Sequence, residues 1–274
     1  MDVRTQERIP NVLTIAGIDP SGGAGLLADV KAMSACGVYA AGVPTALTAQ
    51  NTRGVSGVMP VPAAFVREEL ESVFSDLEFA AVKIGMLNDA EVIGAVAEAL
   101  RRARPRWIVV DPVMVAKSGD RLLRADALDA LRDELLPLAD LITPNLPEAA
   151  DLLGRPEAAS PEVMAEDGAA LLAASGAKWV LMKGGHLGGA ESADCLMSAG
   201  ETHWFRAPRT ATKNTHGTGC TLSSAIAAEL ALLNDVPAAV RAAKEYVSGA
   251  IAHADELTAG GGHGPTHHFW RLWK

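Results

Sequence analysis

Short apolar runs alternate with segments of helical periodicity along most of this chain, and this alternation limits the fold more than any other feature. The runs are apolar at consecutive positions, which is typical of strands buried on both faces of a sheet. They are VLTIAG (12–17), GVPTALTA (42–49), AAVKIGM (80–86), WIVVDPV (107–113), LITPN (141–145) and WVLMKGG (179–185). Repeated strand–helix units predict an α/β fold, in which a central, mostly parallel sheet is flanked by helices on both faces.

Helical patterns fill the stretches between several of these runs. They are predicted over residues 23–37, 62–76, 89–103, 121–136, 218–233 and 236–257, and a β-hairpin is predicted over residues 193–205. No linker rich in proline, glycine or serine divides the chain, and no internal repeat occurs. We therefore expect a flexible N-terminus over residues 1–10 and a single domain over residues 11–274.

Charge and cysteine usage exclude several functional classes. The 274 residues carry a net charge of −9, which provides no electrostatic footprint for nucleic acid or an anionic membrane. Residues 32–52 lack charge, but Pro44, Gln50, Asn51 and several hydroxyl groups argue against a membrane span. The N-terminus lacks the apolar core of a signal peptide, and three widely spaced cysteines form no disulfide framework. We expect a soluble, cytoplasmic protein.

Polar and glycine-rich segments follow the predicted strands at the point where each strand ends. These segments are GIDPSGGAG, AQNT, KIGM, DPVM, TPNLPE, KGGH and THGTGC. Ligands of open α/β sheets bind outside the carboxyl ends of the strands, so these segments predict one shared site. The two common nucleotide-binding motifs, GxxxxGK followed by Ser or Thr and GxGxxG after the first strand, are absent. GIDPSGGAG, with Asp19 at its bend, is compatible with a plain turn and with a binding loop.

The segment THGTGC, residues 215–220, stands where a long helix is predicted to begin. Gly217 and Gly219 allow close approach of the backbone, and Thr218 with the N–H groups of residues 219–220 can bind one oxyanion. Such a site can stabilise the negative charge that develops on a phosphoryl group during its transfer. The helix N-terminus is expected to lower the pKa of the Cys220 thiol, which would then supply a thiolate base. The alternative is a buried cysteine that only packs.

Two carboxylates and an amide also fall at strand ends. Asp111 ends one strand and Glu148 follows the next, so both can face one crevice and hold Mg²⁺ against nucleotide phosphates. Glu148 is also the kind of residue that stabilises a helix start. The amide of Gln50 can pair with the donor and acceptor edge of a heterocycle, or cap its own loop.

Few positive charges accompany the predicted anion site. Lys183, His186 and Lys213 are expected to be the only such groups near it, although a lysine at a strand end is often solvated. Met86 and Val113 are of types that more often belong to a core than to a ligand site. The histidines of GGGHGPTHHFW have no cysteine or aspartate beside them, which favours a packed tail over a metal site.

Together these motifs resemble those of the ribokinase-like superfamily of small-molecule kinases, and more closely those of the hydroxymethylpyrimidine/phosphomethylpyrimidine kinase family of thiamine biosynthesis. The matching segments span residues 13–269, and TPNLPEA with NTHGTGCTLS is the most specific pair. They are LTIAGIDPSGGAGLLADVKAMSACG, ALTAQNT, KIGML, DPVMVAKSGD, LLPLADLITPNLPEA, LMKGGH, TKNTHGTGCTLS and GPTHHF. The resemblance implies a homodimer that uses ATP and Mg²⁺ to phosphorylate 4-amino-5-hydroxymethyl-2-methylpyrimidine. It also implies a second transfer, from the monophosphate to the diphosphate.

The resemblance further implies roles for individual residues. Residues 217–220 match the family's anion hole, and Cys220 occupies the position where most ribokinase-like kinases have an aspartate base. Asn145 and Glu148 match the N-x-x-E element of the Mg²⁺ and phosphate site, and Asp111 matches the nearby acidic position. The residues assigned to the pyrimidine site are Gly17, Asp19, Gln50, Met86 and Val113. Asn145, Lys183, His186, Lys213 and Thr215 are expected at the ATP site, and the sequence leaves open whether Lys183, His186 and Lys213 contact ATP. Because a thiol is a poor base for an alcohol, Cys220 is expected to orient the substrate hydroxyl more than to deprotonate it.

Three other functions compete with this interpretation. A pyridoxine or pyridoxal kinase is the nearest alternative, because its substrate is a similar heteroaromatic alcohol. A ketohexose or nucleoside kinase of the same fold is disfavoured, because its anion hole usually reads GTGD or GAGD. A non-catalytic pyrimidine-binding protein would lack the acidic pair or the anion hole, and both are present.

Overall fold

A computed structural model describes residues 8–114 and 127–273 of the chain. Most of the expected flexible N-terminus and the first part of the helix expected over residues 121–136 lie outside the described residues. The strands are β1 (Asn11–Ile18), β2 (Tyr39–Asn51), β3 (Gly54–Pro60), β4 (Ala81–Ile84), β5 (Trp107–Val110), β6 (Leu141–Ile142), β7 (Trp179–Met182), β8 (Glu191–Met197) and β9 (Thr202–Pro208).

All nine of these strands form one sheet in the order β3-β2-β1-β4-β5-β6-β7-β8-β9. The six central strands, from β2 to β7, pair in parallel, whereas β3 at one edge and β8 and β9 at the other pair antiparallel. The mostly parallel α/β sheet predicted from the sequence is therefore confirmed. The hairpin predicted over residues 193–205 is the β8–β9 pair.

Helices cover both faces of this sheet. They are α1 (Gly25–Ala35), α2 (Ala63–Asp76), α3 (Ala90–Ala103), α4 (Ala127–Ala130), α5 (Leu146–Leu153), α6 (Pro161–Ser175), α7 (Thr218–Leu233) and α8 (Val236–Ala252). α4 continues through a π-turn (Leu131–Leu135) into a 3-10 turn (Leu136–Leu138). Among the described residues, none of the helices is long and apolar enough to cross a bilayer.

Successive side chains of each parallel strand enter two different cores. Val12 of β1 packs with α1, α7 and α8 on one face, whereas Leu13 and Ile15 pack with α2 and α3 on the other. Because side chains alternate across a strand, a strand buried on both faces must be apolar at every position. This double burial explains the uninterrupted apolar runs of the sequence.

Three elements have no counterpart in the sequence-based prediction. β3 reads GVSGVMP, is largely exposed, and contains two glycines and a terminal proline, so it shows no alternation of apolar and polar residues. α5 and α6 lie in the segment between TPNLPE and β7, where small residues blur the helical period of α6. The predicted helix over residues 236–257 is too long, because α8 ends at Ala252 and a 3-10 turn (Ala254–Glu256) follows.

The strand order reverses beside β1, and this reversal positions the candidate site. β1 leads through α1 to β2 on one side, whereas β4 lies on its other side. Loops that leave the carboxyl ends of β1 and β4 therefore diverge to opposite faces and leave a crevice between them.

Candidate active site

A cleft of about 810 Å³ opens at the carboxyl ends of the parallel strands. With one exception, every residue that the sequence singled out for the site lines this cleft: Gly17, Asp19, Gln50, Met86, Asp111, Val113, Asn145, Glu148, Lys183, His186, Thr215 and residues 217–220. The exception is Lys213, which is exposed, and whose carbonyl accepts hydrogen bonds from Thr215 N–H and the His263 ring. The fold thus gathers residues from six strand ends into one chamber.

Residues 217–220, which we call the anion loop, lie at the N-terminus of α7, as the sequence predicted. Gly217 precedes the helix with φ at 73°, and a Cβ there would overlap the carbonyl oxygen of Gly23. Only glycine fits this position, because it tolerates positive φ and leaves room for the neighbouring loop. The helix's own bonding begins with Thr221 N–H donating to Gly217 O at 2.8 Å. The N–H groups of Gly219 and Cys220 therefore lie in the first turn, which a helix leaves without internal partners.

The protonation of Cys220 differs from the sequence-based expectation. Burial raises the pKa of the Cys220 thiol to about 11, although the nearby Lys83 ammonium opposes this rise. Lys83 is itself fully buried and pairs with Asp29 at 2.8 Å, so the carboxylate offsets much of its charge. The expected lowering of the pKa is wrong because desolvation of a thiolate outweighs the helix terminus here. In the free protein Cys220 is a thiol.

The two carboxylates predicted at strand ends converge on Lys183. Lys183 Nζ lies 2.6 Å from Asp111 Oδ1 and 3.8 Å from Glu148 Oε2. Asp111 also accepts hydrogen bonds from Thr143 and Ser223, both at 3.1 Å. Glu148 forms a capping box with Asn145, in which each side chain accepts the other residue's backbone N–H, at 2.8 and 2.9 Å. The helix-start role considered for Glu148 is therefore present together with its place in the cleft.

Burial and mutual charge set the protonation of this group. Burial would raise the pKa of Asp111, but Lys183 and Lys83 outweigh it and hold that pKa below its ordinary value. Burial raises the pKa of Glu148 to about 7, with the opposing Lys183 charge partly cancelled by that of Asp111. Burial would lower the pKa of Lys183, and the two carboxylates raise it instead. Asp111 and Lys183 form a fixed ion pair, and Glu148 gains or loses a proton near neutral pH.

The donor chemistry of this group fits a magnesium ion shared with a ligand. Mg²⁺ prefers oxygen donors, and it commonly takes one or two carboxylates together with waters and substrate phosphates. Asp111 and Glu148 offer such oxygens at the edge of the cleft. Across residues 8–114 and 127–273, no group of three or more His, Cys, Asp or Glu side chains is placed to cage a metal. A phosphate ligand would have to complete the coordination.

Asp19 and His216 form the opposite side of the cleft. The Asp19 carboxylate accepts hydrogen bonds from Ser21 N–H, Ser21 Oγ, Ala24 N–H and His216 Nε2, the last at 2.7 Å. Burial would raise the pKa of Asp19, but these donors lower it. GIDPSGGAG is thus a turn organised by its own aspartate, and it borders the cleft as well. His216 was missed by the sequence reasoning, although it directly precedes Gly217.

Gln50 and Met86 complete this side. The Gln50 amide, at the end of β2, lies between His216 and the hydroxyl of Thr48. Met86 packs across Gly17, where a Cβ would come within 3.1 Å of its methyl group. Met86 is largely buried and also lines the cleft, so it serves the core and the site together. Val113 is half-buried and lines the cleft as well.

Three further cations line the cleft, which corrects the expectation that only Lys183, His186 and Lys213 bring positive charge there. They are Lys83, Lys244 and Arg209. Lys244 pairs with Asp194 at 2.6 Å, and Arg209 donates to the carbonyls of Gly185 and Leu187. The only signal for Lys83 was a lysine inside an apolar strand. Lys244 lies in α8 and Arg209 directly follows β9, and both are outside the motifs of the sequence.

The histidine-containing tail is packed, as expected. His267 and His268 are buried, whereas His263 is exposed. His268 Nε2 lies 3.1 Å from Thr221 Oγ1, which in turn donates to Gly217 O. Burial lowers the pKa of His268 to about 3, so it supports the anion loop as a neutral ring.

Comparisons with known proteins agree with this geometry. The sequence profile of a family described as "Phosphomethylpyrimidine kinase" matches residues 19–267. A hydroxymethylpyrimidine/phosphomethylpyrimidine kinase from Escherichia coli strain K12 is 52% identical over 263 residues, which cover 96% of this chain and 98% of that protein.

Solved structures extend the comparison to the fold. A phosphomethylpyrimidine kinase from Clostridium difficile 630 is 43% identical, with a TM-score of 0.78 over 89% of this chain and 100% of that one. A pyridoxal kinase from Bacillus subtilis, solved as an ADP complex, is 34% identical, with a TM-score of 0.88 over 97% of this chain and 100% of that one. The fold is common to both kinds of kinase, and the sequence is nearer to the first.

Proposed function

The chain belongs to the phosphomethylpyrimidine kinase family, and from this premise we propose how its cleft performs two phosphoryl transfers in the synthesis of thiamine diphosphate. ATP phosphorylates the hydroxymethyl group of 4-amino-5-hydroxymethyl-2-methylpyrimidine, and a second ATP converts the monophosphate to the diphosphate. The observation that carries this assignment is the meeting of the α7 N-terminus, Lys183 and the Asp111–Glu148 pair in one cleft. All of these groups are chemically suited to a transferring phosphoryl group.

The phosphate half of the cleft stabilises developing charge. The N–H groups of Gly219 and Cys220 bind the equatorial oxygens of the transferred group, and the Lys183 ammonium neutralises part of its charge. Asp111 and Glu148 would hold Mg²⁺, which supplies further charge neutralisation when it is bound with the nucleotide. Most of the rate then comes from positioning and electrostatics, as in other phosphoryl transfers.

Cys220 orients the acceptor hydroxyl of the pyrimidine. Its thiol lies at the base of the anion loop and, as burial raises its pKa to about 11, carries its proton at neutral pH. A loose transition state places little charge on the attacking oxygen, so strong basicity is not required of the residue beside it. Correct placement of the hydroxyl is therefore the main contribution of Cys220.

The nucleotide occupies the half of the cleft between β9 and α8. Lys244, Arg209, His186 and Thr215 border this half. Lys213 lies outside the cleft lining, so we assign it no contact with ATP. The nucleotide and the pyrimidine thus approach the anion loop from opposite ends.

Mass-resolved product analysis tests the assignment. The purified protein is incubated with ATP, Mg²⁺ and equimolar hydroxymethylpyrimidine and pyridoxine. We expect the pyrimidine monophosphate first and the diphosphate afterwards. Pyridoxine phosphate as the sole product would move the chain to the vitamin B6 kinases that share its fold, and no product from either alcohol would favour a binding protein.

An exposed apolar face supports a homodimer. Met59 of β3 pairs in register with Leu47 of β2, and both side chains are exposed. Clusters of this kind on an edge strand are typical interaction surfaces. Light scattering is expected to give a dimer for the native chain and a monomer for Met59→Asp, whereas Val163→Asp, at an exposed position of α6, leaves the dimer intact. A monomeric native chain would contradict the proposal.

We also propose that the chain forms a single kinase domain and is located in the cytoplasm. We place one kinase domain over residues 11–274, since the nine described strands form a single sheet. Three free cysteines are compatible with a reducing cytoplasm. Limited proteolysis followed by mass spectrometry tests the domain assignment, because an internal boundary would yield two stable fragments.

A further inference from the structure

We propose that Asp19, His216 and Thr48 fix the orientation of the Gln50 amide, and that this orientation turns the pyrimidine so that its hydroxymethyl group faces Cys220. The inference rests on the proposed function, because it concerns how that substrate lies in the cleft. It assigns positioning roles to His216 and Thr48, which belong to neither the anion loop nor the acidic pair.

The first constraint comes from the His216 side. Asp19 accepts three hydrogen bonds from its own loop, which favours the ionised carboxylate. His216 Nε2 lies 2.7 Å from Asp19 Oδ2 and must therefore carry the hydrogen of that bond. A ring nitrogen that bears a hydrogen cannot accept one from an amide. The end of the Gln50 amide that faces His216 is consequently best filled by oxygen.

The second constraint comes from the Thr48 side. The Thr48 hydroxyl has one hydrogen and lies 2.9 Å from the carbonyl oxygen of Ile18, which can only accept. Its hydrogen is thereby committed, and Thr48 Oγ1 offers only lone pairs to Gln50. The end of the amide that faces Thr48 is consequently best filled by the NH₂ group.

Both neighbours require the same orientation of the amide. In the free structure Gln50 Nε2 lies 3.5 Å from His216 Nε2, and Gln50 Oε1 lies 3.1 Å from Thr48 Oγ1. A half-turn about the last side-chain bond exchanges the two ends, which places Oε1 beside the His216 N–H and the NH₂ group beside the Thr48 oxygen. In this orientation the NH₂ group donates one hydrogen to Thr48 Oγ1, whereas Oε1 lies beside the N–H that His216 donates to Asp19.

The remaining edge of the amide recognises the substrate in one direction only. It presents one acceptor and one donor, and Gln50 lines the cleft. The aminopyrimidine has an adjacent donor and acceptor, its 4-amino group and N3, so two hydrogen bonds form when the amino group faces Oε1. The amino group then lies on the His216 side. Because the hydroxymethyl group is attached next to the amino-bearing carbon, it points toward residues 217–220, whereas the opposite orientation would point it away.

A substrate analogue of reversed polarity provides the test. The 4-oxo analogue, 5-hydroxymethyl-2-methylpyrimidin-4(3H)-one, has a donor at N3 and an acceptor at position 4. An amide held in the proposed orientation pairs with the amino compound and opposes the oxo compound. An amide that is free to turn accepts both.

The experiment measures dissociation constants of both compounds by calorimetry, with Mg²⁺ and a non-hydrolysable ATP analogue present. The native chain is expected to prefer the amino compound by about a hundredfold, because the oxo compound would leave buried donors and acceptors of the Gln50 amide unpaired. Thr48→Val keeps the shape of the side chain but removes the hydroxyl, and we expect it to reduce this preference about tenfold. Thr48→Ser keeps the hydroxyl and the preference. Ser56→Ala, which removes the hydroxyl donor to Ala49 O on the neighbouring strand, is the matched control and leaves the preference unchanged.

A ratio of affinities separates positioning from general damage. If Thr48→Val only loosened the structure, both compounds would lose affinity together and their ratio would stay constant, which would overturn the proposal. Failure of the native chain to bind the amino compound would instead overturn the proposed function. As an independent measurement, ¹⁵N shifts of the histidine rings, with the His216 signal assigned by its loss in His216→Ala, are expected to show a protonated Nε2. An unprotonated Nε2 would also overturn the proposal.

Discussion

The two halves of the cleft use polar groups in different ways. In the phosphate half, Lys183, Asp111 and Glu148 are buried charges that compensate one another, and their attraction depends little on direction. In the half of the cleft that we propose for the pyrimidine, Asp19, His216 and Gln50 form a chain in which the direction of each hydrogen bond matters. A flexible, highly charged phosphate calls for neutralisation, whereas a rigid heterocycle calls for orientation. Substitutions in the two halves should therefore affect different kinetic quantities.

Lys183→Met is expected to have the largest effect on turnover. It removes the cation that faces the phosphoryl group and leaves two buried carboxylates without their partner, so we expect kcat to fall about a thousandfold. The dissociation constant of the pyrimidine should change little. Lys178→Met is the control, because Lys178 is 73% exposed and also pairs with an aspartate, Asp140, at 2.6 Å. An equal loss of pyrimidine affinity and turnover would show that the two halves are not separate.

Lys83→Met tests the charge that lies beneath the anion loop. Its partner Asp29 would remain buried, with the hydroxyls of Thr14 and Ser224 as its remaining donors among the described residues. We expect the free energy of unfolding to fall by about 3 kcal/mol, because a buried charge loses its counter-ion. The double variant Lys83→Met with Asp29→Asn should recover most of this loss in urea unfolding. No recovery would mean that Lys83 stabilises the fold by packing and not by charge.

Cys220→Ala tests the residue that borders both halves. We expect kcat to fall about a hundredfold while the dissociation constant of ATP stays within about twofold, because the thiol orients the acceptor alcohol. Since its pKa is raised to about 11, alkylation of Cys220 in the native chain should remain slow at neutral pH and accelerate only in strongly alkaline solution. Site-resolved mass spectrometry measures the rate of this alkylation. A rapid reaction at neutral pH would support the thiolate that the sequence led us to expect. Unchanged kcat would remove Cys220 from the mechanism.

His268 offers the smallest of these effects, and it concerns the support of the anion loop. Burial lowers its pKa to about 3 from the 6.5 of an unfolded histidine. Below about pH 6.5 the unfolded state binds a proton at His268 that the folded state does not bind. The contribution of His268 to the free energy of unfolding is therefore fully present above that pH and falls as the pH drops toward 3. We expect a loss of about 1 to 2 kcal/mol between about pH 6.5 and pH 5. This slope should be reduced in His268→Gln, and an identical slope in both chains would contradict the lowered pKa.

Much of the fold and of the candidate site is readable from local sequence. α7 begins at Thr218 and ends at Leu233, as its pattern predicts, because the glycine at its start and the apolar helical stretch that follows are local features. β3 and α6 were missed, since an exposed glycine-rich edge strand and a helix rich in small residues carry weak periodic signals. The cleft-lining residues that belong to the strand-end motifs were found because strand ends of a parallel sheet share one edge, whereas His216, Lys83, Lys244 and Arg209 were missed.

The sequence by itself determined the alternation of buried strands and helices, the edge of the sheet where ligands bind, and the family of the chain. Only the tertiary structure decided which groups are charged and which way their hydrogen bonds run. The surrounding protein raises the pKa of the Cys220 thiol, and His216 donates its ring hydrogen to Asp19, which lies 197 positions away in the chain. Lys83 is tolerated in an apolar strand because Asp29 of α1 meets it in the core. Desolvation and pairing between distant segments arise only on folding, and no local pattern of residues encodes them.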